Sequence, residues 1–276
     1  MGTIETSKVK LSNGVEMPVF GLGVFRSKEG EEVEDAVKCA LENGYRAIDT
    51  AAIYHNETGV ARGIKKSGIP RNEIFITTKV WNSDQGYHST FKAFEQSINK
   101  LQTDYVDLYL IHWPKGKLST ETWQAMEELY ESRKIRAIGV SNFMVHHLEE
   151  LMAHARIKPM VNQYEFHPRL TQPKLLKFCF DHGIRPEAWR PIMEGKVNDI
   201  PVLQALSFKY QKSPVQLALR WEIQKGIVTI PKSVTPERII HNSKIFDFEI
   251  SPEDMAKIDQ IDRNERMGPD PDHINF

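Results

Sequence analysis

Ala47-Ile48-Asp49-Thr50-Ala51, with Tyr54 five residues after Asp49, is a short apolar run that stops on polar side chains. Two later runs stop the same way: Phe75-Ile76-Thr77-Thr78 ends in Lys79, and Tyr109-Leu110-Ile111 ends in His112. Each reads as a strand with its functional residue at the C-terminal end. Asp, Tyr, Lys and His at the ends of three successive strands form a proton-delivery set. Tyrosine is an unusual general acid, with a free pKa of about 10, and a nearby ammonium favours its ionised form.

Outward from these runs the same alternation fills the chain. Strand candidates are Val19-Leu22, Ala47-Asp49, Ile74-Val80, Val106-His112, Ala137-Val140, Met160-Gln163, Pro186-Trp189 and Val228-Ile230. Between them lie amphipathic stretches with apolar residues three and four apart: Glu31-Asn43, Thr90-Leu101, Ser119-Glu131, Met144-Met152 and Pro173-Asp181. Two helical patterns, Asp199-Tyr210 and Pro214-Gln224, separate the last two strands, and Pro236-Asn242 and Pro252-Ile261 close the chain. Eight β/α units without a composition break predict a single α/β domain over residues 1–276, a (β/α)8 TIM barrel with two extra helices. A doubly wound sheet is the alternative. Val9 to Met17 alternates around Asn13-Gly14, a hairpin signal that precedes the repeats and is expected to cap the barrel. The acidic Pro269-Asp270-Pro271-Asp272 reads as a surface turn.

The 276 residues are 40% hydrophobic and 26% charged, ordinary for a globular protein. A formal net charge of −1 gives no reason to expect nucleic acid or an anionic membrane as partner. No apolar run approaches the roughly 20 residues of a membrane span. Met1-Gly2 opens a loose N-myristoylation pattern with no basic patch beside it, so a cytoplasmic protein with a frayed start is expected. Cys39 and Cys179, far apart and in helical patterns, read as reduced structural thiols. A monomer is expected.

In a barrel, strand C-termini face one mouth, which would gather Asp49, Tyr54, Lys79 and His112. Each residue alone has a bland reading as packing or solvated surface; their joint occurrence is what argues for chemistry. Tyr54 would give a proton to a nascent alkoxide, Lys79 would lower the tyrosine pKa, and Asp49 would hold Lys79 charged. His112 would hydrogen-bond the substrate oxygen or the tyrosine hydroxyl. No member is an obvious nucleophile, so the set fits carbonyl reduction, with hydride from a cofactor. No G-x-G-x-x-G occurs; Gly21-Leu22-Gly23-Val24-Phe25-Arg26 fails at the third glycine, which argues against a Rossmann half. Instead Lys232-Ser233-Val234 and Arg238 follow the eighth strand, where barrels often bind phosphate; surface cations at a helix start are the plain alternative.

The chain resembles the aldo-keto reductases, in particular the bacterial branch of small-aldehyde and 2,5-diketo-gluconate reductases. The motifs are Gly44-Tyr45-Arg46-Ala47-Ile48-Asp49-Thr50-Ala51 with Tyr54, Ile111-His112-Trp113-Pro114, Ile138-Gly139-Val140-Ser141-Asn142-Phe143, Asn162-Gln163 and Ile230-Pro231-Lys232-Ser233. The resemblance implies NADPH as cofactor, small aldehydes, dicarbonyls or keto-sugars as substrates, and no metal. It places the catalytic tetrad on Asp49, Tyr54, Lys79 and His112. It implies nicotinamide carboxamide contacts from Ser141, Asn142 and Gln163, a ring stacked on Trp189, and a 2′-phosphate held by Lys232, Ser233 and Arg238. It adds Val24, Arg190, Pro191, Ile192, Val234 and Asn242 to the cofactor's surroundings, and Phe25, Trp81, His112 and Trp113 to the substrate pocket.

Two departures stand out. Where the family carries Ser-Pro-Leu after the stacking aromatic, this chain reads Arg190-Pro191-Ile192, and where it favours Glu or Gln before Asn242, this chain has His241. Arg190 would either pair with the pyrophosphate or crowd it. The rival readings are an NADP-binding regulatory subunit of the same fold, as in potassium-channel β subunits; a Schiff-base aldolase using Lys79; and a barrel metallohydrolase, which lacks its H-x-H pair here. The short stretch before the hairpin favours the enzyme over the regulatory subunit. Short connections after the fourth and seventh strands predict an open pocket and a small substrate.

Overall fold

Every residue of Phe75–Val80 and of Val106–Ile111 is buried, on both faces. Such runs belong to parallel sheets covered by helices. In the computed structural model, which describes residues 3–274 and 276, they are two of eight parallel strands. In chain order these are β3 (Leu22–Gly23), β4 (Ala47–Asp49), β5 (Phe75–Val80), β6 (Val106–Ile111), β7 (Ile135–Ser141), β8 (Val161–Glu165), β9 (Arg185–Trp189) and β10 (Val228–Thr229). Each pairs with the next in sequence. The ends meet through parallel bridges Phe20↔Thr229 and Gly23↔Lys232, with Gly21 N–H donating to Thr229 O at 3.0 Å and Thr229 N–H to Val19 O at 3.0 Å. The sheet is therefore a closed barrel, as the repeating pattern predicts.

The seam explains a misleading motif. A Cβ on Gly21 would stand 2.9 Å from the Ala47 Cβ, and one on Gly23 would stand 2.9 Å from the Ile230 carbonyl oxygen. The Gly-x-Gly that fails as a dinucleotide fingerprint lets the first and last strands approach. Outside the barrel run α1 (Glu31–Glu42), α2 (Glu57–Ser67), α3 (Tyr87–Leu101), α4 (Lys117–Glu131), α5 (Val145–Met152) and α6 (Pro173–Asp181). They are followed by α7 (Pro201–Tyr210), α8 (Pro214–Gln224), α9 (Pro236–Asn242) and α10 (Pro252–Asp259). The last two strands are each followed by two helices, which accounts for the two extra ones.

The sequence reading lacks α2. Its Glu-Thr-Gly-Val-Ala-Arg-Gly-Ile pattern carries two glycines, which weaken helix propensity. The glycines serve packing. A Cβ on Gly59 would lie 2.4 Å from Val33 Cγ1, and one on Gly63 would lie 2.7 Å from the Glu34 carbonyl oxygen, so α2 rests directly on α1. Other helix bounds differ by a few residues; α3 begins at Tyr87 rather than Thr90.

The hairpin forms as β1 (Lys8–Lys10) and β2 (Glu16–Pro18), antiparallel, with Lys10 opposite Glu16. Asn13 donates through Nδ2 to the Arg136 carbonyl at 2.9 Å, at the N-terminal end of β7, so the hairpin covers the barrel's bottom, away from the mouth. Met1 and Gly2, where the myristoylation pattern falls, lie outside the described residues. Among the described residues no helix is long and apolar enough to cross a membrane. Cys39 and Cys179 are both free thiols.

Candidate active site

Parallel strands in register bring the polar strand ends together. Lys79, the penultimate residue of β5, is fully buried, a position that an ammonium holds only with partners. Its Nζ donates to Asp49 Oδ1 at 2.6 Å, to the Thr50 carbonyl at 3.0 Å and to Tyr54 Oη at 3.4 Å. Burial alone pulls the ammonium down, but Asp49, Tyr54 and Glu187 outweigh it and hold Lys79 above the ordinary lysine value. The Tyr54 hydroxyl stands above its ordinary value because burial outweighs the pull of Lys79. The lysine acts in the expected direction without winning in this state. His112 is pushed well below the ordinary histidine range, by burial first and then by Lys79, so it is neutral at working pH. Its ring meets the Tyr54 ring edge-on at 5.7 Å, and its Nδ1 is buried without a hydrogen-bond partner among the described residues.

A second layer comes from β7, β8 and β9. Asn142, in a left-handed conformation at φ 65°, donates through Nδ2 to the His112 carbonyl at 3.0 Å and to Ser141 Oγ at 3.1 Å. Its Oδ1 accepts from the Trp189 indole at 2.8 Å. Gln163 Nε2 donates to Asp49 Oδ2 at 2.8 Å. Three of the four residues expected around the nicotinamide, Ser141, Asn142 and Trp189, are thus joined to one another, and the fourth, Gln163, touches the tetrad directly.

Aromatic rings line the same mouth. Phe25 lies 5.0 Å from the Tyr54 ring, and Trp81 meets His112 edge-on at 5.1 Å. The sequence reading leaves out Phe276, which stacks on Trp81 at 5.6 Å and 7° and meets Trp113 edge-on at 5.4 Å. Phe276 thus adds a further aromatic ring beside Trp81 and Trp113. The Pro269–Asp272 stretch belongs to this closing segment: His146 Nε2 and His147 Nε2 both approach Asp272 Oδ1, at 3.1 and 3.5 Å. The Met144 amide donates to His147 Nδ1, which places the neutral ring's proton on Nε2, facing the carboxylate. Asp272 thereby sits beside both imidazoles at the start of α5.

The remaining cofactor candidates divide. Lys232 and Arg238 are exposed, and neither has an acidic partner among the described residues. Ser233 turns its hydroxyl to the Thr235 amide at 3.1 Å. The Val24 side chain is fully buried, its N–H donates to the Asp49 carbonyl at 3.0 Å and its C=O accepts from Asn56 at 2.9 Å, so it offers no free polar group. Pro191 and Asn242 are buried, and Ile192 and Val234 are partly so. Arg190 pairs with Glu194 at 3.1 Å and lies over the Trp189 ring at 5.5 Å. The same Glu194 oxygen is 3.6 Å from Arg26, so two arginines, one after β3 and one after β9, share one carboxylate. Arg190, Met193 and Glu194 all have positive φ, at 56°, 53° and 55°, a cluster of strained non-glycine residues of the kind that marks functional loops.

The Aldo/keto reductase family model matches residues 19–263. The chain belongs to the aldo/keto reductase family. This aldo/keto reductase is 59% identical over 276 residues to the glyoxal reductase of Bacillus subtilis, with 100% of both chains covered. Among solved structures it is similar to MGS-M4, an aldo-keto reductase from a Medee basin deep-sea metagenome library. The TM-score is 0.95 at 48% identity, covering 97% of this chain and 100% of that one. It is also similar to the Bombyx mori aldo-keto reductase in complex with NADP, at TM-score 0.90 and 36% identity, covering 96% and 95%. This aldo/keto reductase is an NADP-dependent oxidoreductase. Its donor set suits that cofactor: two cations without acidic partners for a phosphate, and amide and indole groups for a nicotinamide.

Proposed function

We propose that this aldo/keto reductase reduces small dicarbonyls and aldehydes to alcohols with NADPH, and that Tyr54 delivers the proton. The carrying observation is the Lys79 ammonium, held by Asp49 and 3.4 Å from Tyr54 Oη. When bound, NADPH supplies the hydride. The substrate carbonyl oxygen sits between Tyr54 and neutral His112. As negative charge grows on that oxygen, the Tyr54 O–H bond breaks and its proton completes the alcohol. The tyrosinate left behind faces Lys79, which stabilises it in a water-poor setting where charge pairs count most. Trp81, Trp113, Phe25 and Phe276 exclude water and restrict the pocket to compact substrates. Similarity to a glyoxal reductase supports the substrate class. Measured kcat/KM along a series from glyoxal to bulky aromatic ketones tests it: a fall with size is expected, and a preference for the bulky ketones would overturn it.

Lys232 and Arg238 hold the 2′-phosphate in this reading. Charge-assisted contacts contribute about 1.5–3 kcal/mol each, or about 10–100-fold in affinity. Lys232→Ala or Arg238→Ala should therefore raise KM for NADPH by about that factor and leave KM for NADH nearly unchanged. Equal losses for both cofactors would contradict the assignment.

Arg190 turns from Glu194 to the pyrophosphate when the cofactor binds. Since it exchanges one anion for another, its net contribution lies at the low end, about tenfold. Arg190→Ser should weaken NADPH binding by about that much and flatten its salt dependence, as read by cofactor fluorescence at two ionic strengths. Tighter binding by the serine variant would mean that the arginine obstructs the site.

A further inference from the structure

Glu187 lies in the middle of β9 and is 1% exposed, a carboxyl group inside the barrel that no step above uses. It stands in register opposite Gln163 of β8. The Gln163 amide nitrogen donates to Glu187 Oε2 at 2.9 Å and to Asp49 Oδ2 at 2.8 Å. Both amide protons are thereby spent on carboxyl groups, one on each side, and the Gln163 carbonyl oxygen is left uncommitted to any protein group among the described residues.

We infer that Glu187 is a positioning residue for the reduction: through Gln163 it fixes the orientation of Asp49 and sets the charge balance of the Asp49–Lys79–Tyr54 chain. The inference rests on the proton-delivery reading above. The effect is electrostatic. The charged groups that face Glu187 are Asp49 from β4 and Lys79 from β5; β8 presents the neutral Gln163, and β10 places Val228 and Thr229 alongside. Were both carboxyl groups ionised, two negative charges would share one ammonium in a buried site. A protonated Glu187 leaves Asp49 and Lys79 balanced and still accepts from Gln163. Burial, followed by the charge of Asp49, pushes Glu187 up to about 8. Ionisation of Glu187 adds a charge that raises both Tyr54 and Lys79, which makes Tyr54 a poorer acid. Reduction should therefore slow as Glu187 loses its proton, at a pH below that at which Tyr54 itself ionises.

The test compares wild type, Glu187→Gln and Glu187→Leu in kcat against pH, at saturating NADPH and a small aldehyde. Wild type should lose up to about tenfold between about pH 7 and pH 9, the span of one proton leaving a group near pH 8. Glu187→Gln keeps an acceptor for Gln163 but cannot ionise, so it should hold its rate across that span. Glu187→Leu frees the amide and should lose kcat at every pH. An unchanged alkaline limb in Glu187→Gln would overturn the inference.

Thermal melting supplies a readout that needs no turnover. The folded-state value of Glu187 lies above the ordinary 4.5, so its contribution to stability is full below about pH 4.5 and is lost as pH rises through about 8. The melting temperature of Glu187→Gln should therefore gain on wild type steadily across that window; a constant gap would overturn the inference. A wild type that melts as expected yet reduces no carbonyl would instead fail the functional reading, leaving the placement of Glu187 intact.

Discussion

Tyr54→Phe should lower kcat for a small aldehyde by about 10²–10⁴-fold, the usual cost of removing a general acid, with little change in NADPH affinity. The aromatic ring stays, so its contacts with Phe25 at 5.0 Å and His112 at 5.7 Å survive and the pocket keeps its shape. Only the hydroxyl beside Lys79 is lost. His112 cannot substitute for it, because burial and Lys79 hold its imidazole neutral and far from donating a second proton. Steady-state kinetics with a cofactor titration separate the two effects. A Phe variant with near-full kcat would remove Tyr54 from the mechanism.

Lys79→Met should be similarly crippled, and also less stable. Its ammonium is the common partner of Asp49, the Thr50 carbonyl and Tyr54. Methionine fills similar volume but leaves the Asp49 carboxylate buried with Gln163 as its remaining side-chain donor. Breaking a buried pair from one side costs about 3–5 kcal/mol, and losing the cation beside Tyr54 should cost about 10²–10⁴-fold in rate. The double variant Lys79→Met/Asp49→Asn separates the two losses. Neutralising the orphaned carboxylate should restore much of the denaturation midpoint and none of the rate. Recovery of rate along with stability would mean that Lys79 serves the fold alone.

Much of this architecture is legible along the chain. Most barrel strands carry a short apolar run, and Asp49, Lys79 and His112 sit where such runs stop, with Tyr54 in the turn that follows Asp49. What escapes has physical causes. The helix α2 hides behind Gly59 and Gly63, whose low helix propensity is outweighed by the close approach to α1 that they permit. Gly21 and Gly23 imitate half of a nucleotide motif because barrel closure, like phosphate binding, needs backbone without side chains. Glu187 carries a local signal, a carboxyl group between the apolar Pro186 and Ala188, but its partner Gln163 becomes visible only with the register between β8 and β9. Phe276 and the Arg26–Glu194–Arg190 arrangement join segments distant in sequence, and no periodicity reports such meetings.

The account turns on whether the NADPH-loaded protein transfers hydride to a small carbonyl. Mixing it with glyoxal or methylglyoxal in a single turnover, and following the reduced nicotinamide absorbance together with the alcohol formed, tests this directly. The account predicts that the absorbance disappears with one alcohol formed per NADPH consumed, and that the Tyr54→Phe variant leaves it in place on the same timescale. NADPH that stays bound and reduced in the wild-type protein, whichever small carbonyl is supplied, would contradict it.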